Sequence, residues 1–108
     1  MEGSPLSIGE VLAAYPVARL DLHGCSAAEA ERRVLNFVRT HAAASPGDVV
    51  EIVTGKGVRS VGPAVLPGLV RELLQGELKP SVAEWAGMPG GGAVKVRLRK
   101  RRGRVRGP

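Results

Sequence analysis

The stretch Ala18-Arg19-Leu20-Asp21-Leu22-His23-Gly24-Cys25-Ser26-Ala27-Ala28-Glu29 holds the reading on which the fold turns. Residues 18–22 alternate apolar and polar side chains, the period of a strand. Leu20 and Leu22 then share one face, and Asp21 and His23 the other. Gly24 stops the strand. Ser26-Ala27-Ala28-Glu29 has the capping-box spacing and opens a helix over about residues 27–43. Ala30, Val34, Phe37 and Val38 form its apolar stripe, while Glu29, Arg32, Arg33 and Arg39 fill the other faces.

Downstream, Ser45-Pro46-Gly47-Asp48 is turn chemistry, and residues 49–54, β-branched at five of six positions, predict a buried strand. Gly55-Lys56-Gly57 breaks it. A second helix follows over roughly residues 63–75, with Leu66, Leu69, Val70, Leu73 and Leu74 on one side. Pro67 must lie in its first turn or force a later start. Residues 82–85 form a short strand candidate, residues 87–92 a glycine-rich turn, and residues 93–99 alternate strictly. Upstream, Ser7-Ile8-Gly9-Glu10 has a second capping-box spacing, so residues 1–17 read as an extension with a short helix ended by Pro16. Residues 100–108 read as a disordered basic tail. The body, 18–99, has the order β-α-β-α-β-β. That predicts an α/β two-layer sandwich whose four-stranded mixed sheet carries both helices on one face. The helical crossovers make the first strand pairs parallel, the last two strands form a hairpin, and the other sheet face is left open.

Composition narrows the function. A chain of 108 residues makes one modest domain. Residues 1–84 carry eight basic and ten acidic groups, net −2, and residues 85–108 carry eight basic groups and no acid, net +8. No uncharged run is long enough for a membrane span. No Lys or Arg precedes Arg19, so a secretory leader is not expected. Cys25 is the one cysteine, which fits a reducing cytoplasm and excludes an internal disulfide or a Cys-based zinc cage. With three aromatics, Tyr15, Phe37 and Trp85, rows of base-stacking rings are excluded, and Trp85 reads as packing.

Two constellations carry chemistry. Asp21 and His23 put a carboxylate and an imidazole at a strand end. Lys95, Arg97 and Arg99 share their face in the last strand, where cations could hold a phosphate backbone. Thr54-Gly55-Lys56-Gly57 follows the second strand; glycines can turn N–H groups toward an anion, and Lys56 adds a charge. The Walker A spacing is absent. Both loops leave the carboxyl ends of strands, where ligands of parallel sheets bind. Each feature also has a plain reading: an ordinary strand end, an ordinary turn, a solubilising tail. Cys25 and His23 do not make a nucleophile pair, because a third orienting group is missing. His41 reads as a helix-terminus histidine. Asp21 and Glu51 are the carboxylates that could meet a divalent metal.

Taken together, these motifs resemble the Smr, or small MutS-related, domain family over about residues 18–99. The resemblance rests on Leu20-Asp21-Leu22-His23-Gly24, on Thr54-Gly55-Lys56-Gly57 and on Gly91-Gly92-Ala93. Val94 stands where the family's usual Gly-Gly-x-Gly-Ala-Thr has Thr. The resemblance implies a sandwich like the C-terminal domain of bacterial translation initiation factor three, nucleic-acid binding and, in many members, nicking or endonuclease activity. Members also occur fused to MutS-like ATPases or joined to RNA-surveillance or pentatricopeptide modules; this length leaves no room for an ATPase, so a stand-alone member is expected.

The resulting expectation is a cytoplasmic, monomeric endonuclease that hydrolyses phosphodiester bonds in DNA or structured RNA with little sequence specificity. His23 would act as general base or acid, imidazole being the side chain that ordinarily titrates near neutrality. Asp21 would orient it or hold Mg²⁺ or Mn²⁺, the cofactors to be considered. Lys56 and the Gly55 and Gly57 amides would stabilise phosphate charge. Thr54, Lys95, Arg97, Arg99, Lys100, Arg101 and Arg102 would bind backbone. The alternatives are a non-catalytic nucleic-acid or ribosome-binding module on the same surface, and an adaptor whose tail meets an acidic partner.

Overall fold

The computed structural model describes residues 8–55 and 65–100. In chain order its elements are α1 (Ile8–Ala13), β1 (Ala18–Asp21), α2 (Ala27–Ala44), β2 (Val49–Val53), α3 (Val65–Gln75), a 3-10 turn (Lys79–Ser81), β3 (Val82–Gly87) and β4 (Ala93–Leu98). The strands form one mixed sheet in the order β1-β2-β4-β3. β1 and β2 are parallel, with Leu20 opposite Ile52 and Asp21 opposite Val53. β4 is antiparallel to both neighbours, with Glu51 and Ala86 opposite Lys95.

The sheet order corrects one expectation. β3 runs in the direction of β2 but does not pair with it, because β4 lies between them. The alternation of β4 is the reason: Val96 and Leu98 are fully buried on one face and Lys95 is 8% exposed on the other. A strand that is dry on both sides belongs in the middle of a sheet, and the hairpin returns it there. β2, buried at four of five positions, is the other central strand.

α2 begins at the expected capping box: the Ser26 hydroxyl accepts from the Glu29 N–H while the Glu29 carboxylate accepts from the Ser26 N–H. α3 starts at Val65, placing Pro67 in its first turn, where a missing N–H breaks no helical bond. Both helices pack on one face. Ala30, Val34 and Val38 of α2 and Val70, Leu73 and Leu74 of α3 join Leu20, Leu22, Val50, Ile52, Val96 and Leu98 in a single core.

The opposite face is not open. α1 packs over β3 and β4 with Val11 fully buried, and Val49 and Ala86, whose register directs them to that face, are 5% and 6% exposed. Apolar groups on both sheet faces need cover, and a six-residue helix supplies it over half the sheet. The other half, around β1, keeps Arg19 and Asp21 exposed. Among the described residues no helix is long and apolar enough to cross a membrane.

Candidate active site

The loops after β1 and β2 and the loop before β4 lie at one end of the sheet, a consequence of parallel β1–β2 and antiparallel β2–β4 pairing. The first loop is held from both sides. Leu22 donates its N–H to the Val53 carbonyl (2.8 Å) and is itself fully buried, which locks the loop onto the sheet and the core. Asp21 Oδ1 accepts the backbone N–H of His23 at 2.9 Å, and Cys25 N–H bonds back to Leu22 O at 3.0 Å. Asp21 and His23 are both exposed. Gly24 turns the chain at φ +82°, a conformation that strains any L side chain. The result is a tight Asx turn presenting an imidazole to solvent.

The second and third loops are laced together. The N–H groups of Thr54 and Gly55 both donate to Gly92 O, at 2.9 and 3.0 Å, and the Thr54 hydroxyl donates to Gly55 O at 3.1 Å. This corrects the expectation that the Gly55 amide and Thr54 meet a phosphate: their donors brace the loops instead. Lys56 and Gly57 lie outside the described residues, as do Arg101 and Arg102.

The C-terminal cations do not gather at this end. Lys95 Nζ donates to Leu12 O (2.8 Å) and Ala14 O (2.6 Å), so it caps α1 from beneath and is withdrawn from any phosphate. Arg97 is bound bidentately by Glu84, at 2.5 and 2.9 Å, and this carboxylate holds the guanidinium above its ordinary pKa. Arg99 donates through Nη2 to Val82 O (2.9 Å), and it and Lys100 sit at the far end of β4, roughly 20 Å from the glycine loops at strand spacing. The expectation that Lys95, Arg97 and Arg99 form one wall with Asp21 and His23 fails because α1 and Glu84 cover that wall.

Two other cations lie at this end of the sheet, one by the first loop and one by the glycine loops. Arg33 of α2 reaches over the first loop, its Nη1 3.1 Å from Cys25 Sγ. Arg71 of α3 is exposed and lines, with Thr54, Gly91 and Gly92, a cavity of about 130 Å³. The signal for Arg71 was present: it is the one cation between Arg59 and Lys79, four residues past Pro67. For Arg33 only the tertiary contact gives the role. His41 meets Phe37 edge-on, with ring centroids 4.7 Å apart, away from this end.

The donors present do not fit a resident metal. No three His, Cys, Asp and Glu side chains converge among the described residues. Glu51, the proposed partner of Asp21, is 8% exposed and pairs with Arg19 at 3.3 Å. A hard cation such as Mg²⁺ or Mn²⁺ takes six or so oxygens, and Asp21 stands as a single carboxylate.

Fold and site together define a small α/β domain with a loop-built Asp–His turn, Arg33 beside it, at one end of a mixed sheet. A family model described as Smr domain matches residues 20–99, and the chain belongs to that family. Its structure is similar to the crystal structure of YdaL, a stand-alone small MutS-related protein from Escherichia coli. The TM-score is 0.66 and the identity 28%, over 93% of this chain and 80% of that one. No curated protein matches the chain.

Proposed function

We propose that this protein binds DNA or structured RNA and nicks it, hydrolysing phosphodiester bonds with little sequence specificity. The observation that carries this is the exposed Asp21–His23 turn, held to β2 at the sheet end where the three loops lie, with Arg33 over it and Arg71 on the glycine-loop side of the same end. Family membership supports it, since Smr domains are associated with nucleic-acid binding and nicking. In the reaction, a water oxygen forms the new bond to phosphorus while the bond to the sugar oxygen breaks. His23 takes the proton from the attacking water or gives one to the departing oxygen. Arg33, Arg71 and Lys56 balance the charge that builds on the phosphate oxygens. Asp21 acts on the backbone of His23, fixing where the imidazole starts. Backbone contact without base readout accounts for low sequence specificity.

The test is incubation of the full chain with supercoiled plasmid and with structured RNA, with and without Mg²⁺ or Mn²⁺. His23→Ala is expected to slow nicking about a hundredfold or more with affinity nearly intact, the range for loss of general acid–base catalysis. Unchanged nicking in that variant sinks the site assignment.

One observation favours a second reading. Asp21 Oδ1 accepts from the His23 backbone, and the His23 imidazole has no hydrogen-bond partner among the described residues. A catalytic imidazole is commonly oriented by a third group. A non-catalytic nucleic-acid or ribosome-binding module needs no such partner. That reading requires strongly salt-dependent binding and no cleavage under any metal condition.

A further inference from the structure

Two cavities, of about 130 and 240 Å³, lie along the α-helical side of edge strand β3, and a third, of about 470 Å³, lies beyond it between the C-terminal end of α2, the 3-10 turn and the residues after β4. Each neighbouring pair shares one wall residue. Trp85 lines both the first and the second, and Arg99 lines both the second and the third. The first opens beside Gly91 and Gly92 at the candidate active site; the third lies at the opposite end of the sheet. Read as one groove, the three run from the glycine loops past β3 to the residues after β4.

The lining has one sign of charge. Arg71, Lys79, Arg99, Arg39 and Lys100 contribute to the walls, and no lining residue is acidic. Arg71 and Lys79 are exposed, and their side chains have no ion pair among the described residues. Arg39 has a loose one, 3.9 Å from Glu77. Trp85, the chain's single tryptophan, stands midway. It packs on the core yet stays partly exposed where two cavities meet. A cationic groove with an aromatic surface is the arrangement that holds a single strand, backbone on the cations and a base on the ring. A duplex keeps its bases stacked on one another and offers the ring no free face.

We propose that this groove carries a single strand of nucleic acid away from the candidate active site, with Trp85 as its stacking platform and Arg71 and Lys79 as the cations that hold its phosphates. The inference rests on the nucleic-acid reading above and specifies its substrate: a nick site adjoining unpaired nucleotides.

The full chain is titrated with a short labelled oligothymidylate and with a blunt duplex of equal length, following anisotropy and intrinsic tryptophan emission. The oligothymidylate is expected to quench Trp85 and the duplex to leave it nearly unchanged. Trp85→Leu should weaken single-strand affinity about tenfold, within the range for one stacked base. Arg71→Ala/Lys79→Ala should make the slope of log K against log[salt] shallower by about 1.4, some 0.7 for each single-strand phosphate that is no longer neutralised. Both of these residues are exposed, so the double variant serves if Trp85→Leu does not fold. Plasmid binding with unchanged Trp85 emission on adding oligothymidylate, and an unaltered slope in the double variant, overturns the groove and leaves the proposed function standing. Absence of binding to every nucleic acid overturns both.

Discussion

Lys95 donates to the carbonyls of Leu12 and Ala14, acceptors at the C-terminal end of a helix that cannot satisfy them internally. The alternation of residues 93–99 placed Lys95 and Arg97 on the correct sheet face. Whether that face was wet depended on α1, which the pattern around residue 95 does not mention. Lys95→Met is expected to destabilise the fold by about 2 kcal/mol, since it removes hydrogen bonds from a charged donor. For a domain of this size that is a melting-point drop on the order of 10 °C, measured by thermal denaturation. The same variant should leave the salt dependence of nucleic-acid binding as it was; a shallower slope would return Lys95 to the binding surface. His23, by contrast, was readable as exposed because Gly24 follows it. Its lack of a hydrogen-bond partner was not, because Asp21 is spent on a backbone N–H that only the folded turn aligns.

The capping box of α2 shows how far local chemistry reaches. Ser26 and Glu29 satisfy one another's backbone donors, as their spacing demands. Ser26→Ala is expected to destabilise by about 1 kcal/mol, read from a urea midpoint. The backbone and hydroxyl of Ser26 hold the Glu29 carboxyl below its ordinary value of 4.5. A depressed folded pKa gives stability that is complete above the ordinary value and lost as pH falls through the lowered one. The midpoint should therefore fall as pH drops below 4.5, and that component should be absent from Glu29→Gln, whose amide caps without titrating. An identical pH profile in the variant would show that the cap does not report on folding. At α1 the decisive contact is Val11, fully buried over β3 and β4. Val11→Asp should release this helix and expose Lys95, detected as faster amide exchange at Leu12 and in β4. The length of β3 was less legible: the strand candidate stopped at Trp85 and Gly87 read as turn, yet Ala86 and Gly87 both pair with β4. A glycine carries no side-chain pattern, so its place in a strand is set by its partner.

Across the molecule the cations include internal struts (Lys95 and Arg97), groove and loop residues (Arg33, Arg71 and Lys79), and the five from Lys100 onward. Ending the chain at Arg99 removes those five and leaves 11 basic groups against ten acidic. Nucleic-acid affinity should fall and its salt slope flatten by about 0.7–0.9 for each phosphate the tail had neutralised, measured by titration across salt concentrations. A slope that does not change would remove the tail from the interface. The sequence by itself determined the elements, the core stripes of α2 and α3, the parallel β1–β2 pair and the loops that meet at one sheet end. These follow from side-chain periodicity, caps and glycines, all local within a few residues. Only the tertiary structure decided that β4 lies between β2 and β3, that α1 closes half of the second face, and which cations remain in water. Those outcomes depend on what packs against a given face from tens of residues away: Leu12 and Ala14 against Lys95, Glu84 against Arg97. A charge is available to a ligand only where no such neighbour has already taken it.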